Sequence, residues 1–259
     1  MLARWRRRAN GAALLINVPV NAMSRAGVDA EVGRVRGCVI PLIRNKGGRP
    51  YLEGSAVALV YRGRKVLATA LHVLTANKDR QLWFFAHDTY VRPLHGYFEI
   101  SEVHDLAVAL LDADAIAALA HIPFLKEESI GSAVNESGAF YASVAGYPHT
   151  ASRLKDRQTL DTPMEVISGR GTELPDGVVS VVFDKKCGAW GAKGHVLARD
   201  PIGKSGGAIF GMRVMGLNAV QPWYTPKLVG IPTEWKGKQI LGASAAALIP
   251  LLDRLVAPR

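Results

Sequence analysis

The sequence predicts an all-β protein, built as antiparallel sandwiches or barrels. Three observations carry that expectation. Short apolar runs rich in Val, Ile, Phe and Ala recur along the chain. Turn-forming residues punctuate them at fairly regular spacing. Only two stretches show helical spacing, and both are short.

The elements follow in order. "GRVRGCVIPLI" (33–43) reads as a strand closed by the turn-rich "RNKGGRP". "GSAVALVY" (54–61) and "KVLATALHVL" (65–74) flank "RGR", where Gly63 suits a hairpin turn. "QLWFFA" (81–86) and "DLAVALLD" (105–112) are further strands, and the alanine-rich "DADAIAALAHI" (112–122) is a short helix joining two halves. In the second half "FYASVAGYP", "MEVISGRG", "GVVSVVFD", "GGAIFGMRVMG" and "KLVGIPTEW" repeat the strand theme. "ASAAALIPLLDRL" (243–255) is helical, with a kink expected at Pro250, which lacks an N–H.

Composition narrows the class. The chain has 259 residues, 49% hydrophobic and 21% charged, enough for one large domain or two small ones packed as a unit. No apolar run is long enough to span a bilayer, so a soluble protein with no membrane partner is expected. Residues 1–30 carry "RWRRR" and then "AALLI", which Asn17 and Pro19 interrupt. That apolar part falls short of the ~7–15 residues of a signal peptide, so a basic, solvated arm is expected. Two cysteines, Cys38 and Cys187, do not make a disulfide scaffold. Reduced thiols in a cytoplasmic protein are the expectation. The histidines are dispersed without metal-ligand spacing, so neither a metal nor another cofactor is expected. Net charge is +10, but the basic residues are spread out apart from "RWRRR" and do not interleave with aromatics. Nucleic acid is therefore not the expected partner.

Function turns on "ARDPIGKSGGAIFG" (198–211) and on the role of Ser205. A phosphate-binding loop would need a helix starting at Lys204–Ser205. Gly206 and Gly207 follow instead, and each costs roughly 1 kcal/mol in a helix. An α/β-hydrolase elbow would need a histidine after the serine. None follows Ser205. A third order, His then Asp then Ser, is satisfied. His72 stands where an apolar strand ends in a tight helical turn, Asp105 opens a strongly apolar strand, and "GKSGG" holds Ser205. A serine hydroxyl needs a neutral imidazole to take its proton during attack, and a carboxylate to hold that imidazole's tautomer. Singly, each residue has a plain alternative: a core histidine, a strand-capping aspartate, a turn serine. Jointly, their order argues for chemistry.

"TALHV", "DLAVALL" and "GKSGG" resemble blocks of the trypsin/chymotrypsin-like serine protease superfamily, in particular its bacterial trypsin-like and high-temperature-requirement members. "SVAGYP" (143–148) and "KLVGIPTEW" (227–235) agree, and the resemblance spans about residues 33–255. It implies two packed antiparallel six-stranded β-barrels with a C-terminal helix. The first barrel (31–130) would carry the His and Asp, and the second (131–259) the nucleophile. It implies a serine endopeptidase working through His72, Asp105 and Ser205, with the N–H groups of Gly203 and Ser205 as oxyanion hole. The partner would be a protein or peptide substrate, or one dedicated protein; the alternative is a silent binding module on the same fold. The register also sets Arg199, Thr233 and Trp235 around the substrate pocket, with Thr233 buttressing Asp105 and Trp235 where a glycine usually opens the pocket. Arg199 there would disfavour Lys or Arg substrates and favour acidic or small ones. Lys204 replaces trypsin's aspartate, so activation by a buried N-terminal amine is not expected.

Overall fold

The computed structural model describes residues 2–9, 12–19, 32–33, 35–46, 49–76, 82–86, 90–94, 97–134, 138–155, 160–183, 189–191, 194–196, 200–212 and 226–258. The expected all-β class holds. Within the segment expected as a basic, solvated arm, β1 (Leu2–Ala9) pairs antiparallel with β2 (Ala12–Pro19).

The first sheet comprises β3 (Val39–Lys46), β4 (Arg49–Tyr61), β5 (Arg64–Ala70), β6 (Leu82–Ala86), β7 (Tyr90–Pro93), β8 (Phe98–Ser101), β9 (Leu106–Leu110) and β10 (Leu125–Lys126). Its order is β7-β6-β3-β4-β5-β9-β8, with β10 parallel to β4. The β4–β5 hairpin turns at Arg62 and Gly63, with φ of 45° and 72°. Paired positive φ values match the twist of the flanking strands. Short helices in this half include α1 (Leu71–Thr75), which continues directly from β5, and α2 (Ala113–Ala118), capped by Asp112, whose carboxylate accepts from Ala115 N–H at 2.7 Å.

The second half contains β11 (Ala139–Gly146), β12 (Arg153–Leu154), β13 (Leu160–Asp161), β14 (Glu165–Leu174), β15 (Val178–Val182), β16 (Ala189–Gly191), β17 (Gly194–Val196), β18 (Ala208–Met212), β19 (Pro226–Lys236) and β20 (Gln239–Ser244). Strands β11, β18, β19, β20, β15 and β14 form a closed antiparallel ring, because β14 also pairs with β11. Closure removes edge strands and gives a stiff frame. Among the described residues the first sheet shows no such closing pair.

Each half has its own apolar interior: Leu42, Leu67 and Phe84 in one, Phe140, Ile167 and Ile209 in the other. A third cluster joins them, with Val57, Leu59 and Leu106 packed together with Phe210, Ile231 and Leu251. Burying each such side chain contributes about 1.5–3 kcal/mol. The helix α3 (Ala245–Val256) lies over this seam against β8, β9, β19 and β20. Leu248, Leu251, Leu252 and Leu255 form its buried stripe at helical spacing. Asp253 on its polar side accepts from Tyr61 Oη at 2.8 Å and pairs with Arg62 at 2.7 Å.

Candidate active site

Register brings His72 and Asp105 together. Strands β5 and β9 are antiparallel neighbours with Ala70 opposite Leu106. The residue just ahead of β9 therefore meets the first turn of α1. Asp105 Oδ2 lies 2.6 Å from His72 Nδ1, and Asp105 Oδ1 accepts the His72 backbone N–H at 2.9 Å. The Asp105 carbonyl accepts the Leu71 N–H at 2.9 Å. Asp105 reaches this position with φ of 50°, a left-handed backbone that Asp tolerates better than most residues. The carboxylate holds the proton on Nδ1 and leaves the Nε2 lone pair available. Neither side chain is buried: 47% of His72 and 35% of Asp105 remain exposed.

The far end of α1 is held by a residue the sequence did not announce. Arg44, buried on β3, donates from Nη2 to the carbonyls of Val73 at 2.8 Å and Leu74 at 2.7 Å. Its Nε lies 3.1 Å from Glu53 Oε2. A five-residue helix leaves its last carbonyls without intrahelical partners, and the guanidinium satisfies two of them.

Ser205 follows a turn in which Lys204 N–H donates to Pro201 O at 2.9 Å. Gly203 in that turn has φ of 92°, and a Cβ there would sit 2.7 Å from His149 N. Gly206 has φ of 81°, and a Cβ would sit 2.1 Å from Ser55 O. Glycine is required at both. Ser55, fully buried on β4 of the other half, ties this turn across the seam. Its N–H donates to Ser205 O at 2.8 Å, and its hydroxyl donates to Gly203 O and accepts from Tyr147 N–H, both at 3.1 Å. Thr69 Oγ1 donates to Ser55 O at 2.7 Å. Among the described residues, the N–H groups of Gly203 and Ser205 donate to no protein acceptor.

His72, Gly203 and Ser205 line one cleft of about 460 Å³, together with Glu53, Glu234 and Trp235. Ser205 Oγ donates to Thr233 O at 3.5 Å, and no hydrogen bond joins it to His72. Thr233 thus contacts Ser205 through its carbonyl; among the described residues it makes no bond to Asp105. Trp235 donates from Nε1 to Gly237 O at 2.9 Å and stands edge-on to Phe183. Arg199 and Cys187 lie outside the described residues. Tyr51, also in the lining, has its phenol pKa raised by burial and then by the Glu53 charge. Among the described residues no cluster of His, Cys, Asp and Glu could hold a metal, and no helix is long and apolar enough to cross a membrane.

No known family model and no curated protein matches the sequence. Solved structures do match. One comes from work on aromatic interactions in the coupled folding and binding of the disordered Sesbania mosaic virus VPg protein. It has a TM-score of 0.50 at 13% identity, covering 85% of this chain and 92% of that one. Others are the Rv3671c protease in an inactive form, at 0.44 and 14% over 90% of this chain and 96% of that one, and a human pathogenic astrovirus serine protease, at 0.42 and 10% over 81% and 90%. Identity this low speaks to fold alone. The architecture is two antiparallel β units with a cleft at their seam and a C-terminal helix.

Proposed function

We propose that this chain is a serine endopeptidase of the trypsin-like kind. His72, paired with Asp105 and lining the same cleft as Ser205, is the observation that carries this reading. Ser205 Oγ attacks the peptide carbonyl while His72 Nε2 takes its proton. The imidazolium is stabilised by Asp105 and then protonates the leaving amine. The free N–H groups of Gly203 and Ser205 receive the oxyanion. Water then repeats the sequence on the acyl-enzyme.

In this relay Ser205 Oγ gives up Thr233 O as its acceptor and turns to His72. Catalytic hydrogen bonds commonly tighten only once substrate is bound. A peptide in the cleft also covers His72, excluding the water that reaches it at rest.

The Ser205–Thr233 bond favours a second reading, a binding module whose serine is parked. A fluorophosphonate probe separates the two. Labelling of the wild type and not of Ser205→Ala is expected. An unlabelled wild type would remove the enzyme reading and leave the binding one.

A further inference from the structure

Lys204, the residue directly before Ser205, is 1% exposed and among the largest fully buried side chains. Lysine is seldom buried unless its charge is paired and hydrogen-bonded. Here Nζ donates to the main-chain carbonyl of Glu165 at 3.1 Å and lies 3.7 Å from Glu165 Oε2. The Glu165 side chain is itself only 4% exposed. The carboxylate is therefore held at ion-pair distance, with direct donation going to the backbone.

Glu165 sits on the closed ring, and Lys204 lies in the turn that leads into ring strand β18. Glu165 opens β14 opposite Gly146, the last residue of β11. A Cβ on Gly146 would come within 3.0 Å of both Cα and Cβ of Lys204. The backbone of Lys204 is thus laid on β11 while its ammonium is anchored on β14. Its N–H goes to Pro201 O and its carbonyl accepts from Gly207 N–H, each at 2.9 Å. Gly203 and Ser205, whose N–H groups face no protein acceptor, are its immediate neighbours.

We infer that Lys204 is a positioning residue: its buried pair with Glu165 holds the Gly203–Ser205 turn in the oxyanion-binding form from inside the second barrel. The turn then needs no charge delivered by a freed chain end. This rests on the serine-hydrolase reading above. It gives the site a built-in anchor in place of an activation step.

The test must separate positioning from stability. Lys204→Met alone takes the Lys204 cation from a buried carboxylate, so the informative variant is Lys204→Met with Glu165→Leu. Replacing a buried ion pair by apolar groups is often neutral or stabilising for folding. Thermal melting, fluorophosphonate labelling and hydrolysis of a small activated ester are measured on parent and double variant. The expected result is an unchanged or higher melting temperature, an unchanged KM and a kcat lower by ~100-fold, the scale of losing one oxyanion donor. A folded double variant with parental kcat would overturn the inference. So would a double variant that does not fold, since the pair would then serve stability. An unlabelled parent overturns the serine-hydrolase reading and the inference with it, a result distinct from a labelled parent and an equally labelled variant.

Discussion

The two carboxylate oxygens of Asp105 divide their work on His72: Oδ1 takes its backbone N–H at 2.9 Å, and Oδ2 meets ring Nδ1 at 2.6 Å. One oxygen fixes where the residue sits, and the other fixes which nitrogen carries the proton. Asp105→Asn keeps the shape and tolerates the φ of 50°. The amide NH₂ nevertheless selects the wrong tautomer. We expect turnover of an ester substrate to fall ~10⁴-fold, with the melting curve nearly unmoved.

Ser55→Ala removes a hydroxyl that bridges Gly203 O and Tyr147 N–H. Both are left without this partner beneath the nucleophile turn. A loss of about 1–3 kcal/mol in denaturant titration is expected, with slower probe labelling of Ser205 in the folded protein. Labelling at the parental rate would show that the turn keeps its form without the bridge.

Two left-handed glycines make a matched pair. Gly63 has open space where a Cβ would point, whereas at Gly206 a Cβ would lie 2.1 Å from Ser55 O and 2.2 Å from Thr69 Oγ1. Gly63→Ala should cost only the backbone strain, about 1–2 kcal/mol, and retain full labelling. Gly206→Ala should lose labelling altogether. Side-by-side labelling and thermal melts of the two proteins check this.

Stability should fail at alkaline pH through buried acids at the seam. Burial pushes the Cys38 thiol from 9.0 up to about 12. Burial, followed by the nearby Cys38, pushes the Tyr147 phenol from 10.0 up to about 12. Both folded-state values are raised, so the unfolded chain releases these protons first. Stability is full below pH 9 and declines as pH rises through about 12. Cys38 alone accounts for roughly 4 kcal/mol of that decline, at 1.36 kcal/mol per unit. Urea midpoints across this range should drop less in Cys38→Ala than in the parent.

Where the sequence could be read, it was read through local signals. The β4–β5 hairpin sits where "RGR" placed it, because the turn chemistry is local. Likewise α3 falls where apolar residues recur at helical spacing, starting at Ala245 after the Ser244 cap. His72 and Asp105 were legible for the same reason, each marked by the end of an apolar strand. Arg44, Ser55 and Glu165 were not. Each is an ordinary residue in a strand, and its partner is reached only when distant strands pack. Nor was the contact of Thr233 with Ser205 legible, because a backbone carbonyl makes it and no side-chain signal marks it. Strand β20 was missed because "KQILGAS" is too short and too glycine-broken to stand out.

The placement of α3 has a mechanical implication. Its leucine row rests on β8 and β9 of one sheet and on β19 and β20 of the other. The helix is thus a clasp across a joint whose two sides carry the imidazole and the alcohol. Prising that row loose would part the reacting groups while leaving each sheet intact. On the serine-hydrolase reading, such an agent would lower turnover from outside the cleft that His72 and Ser205 line.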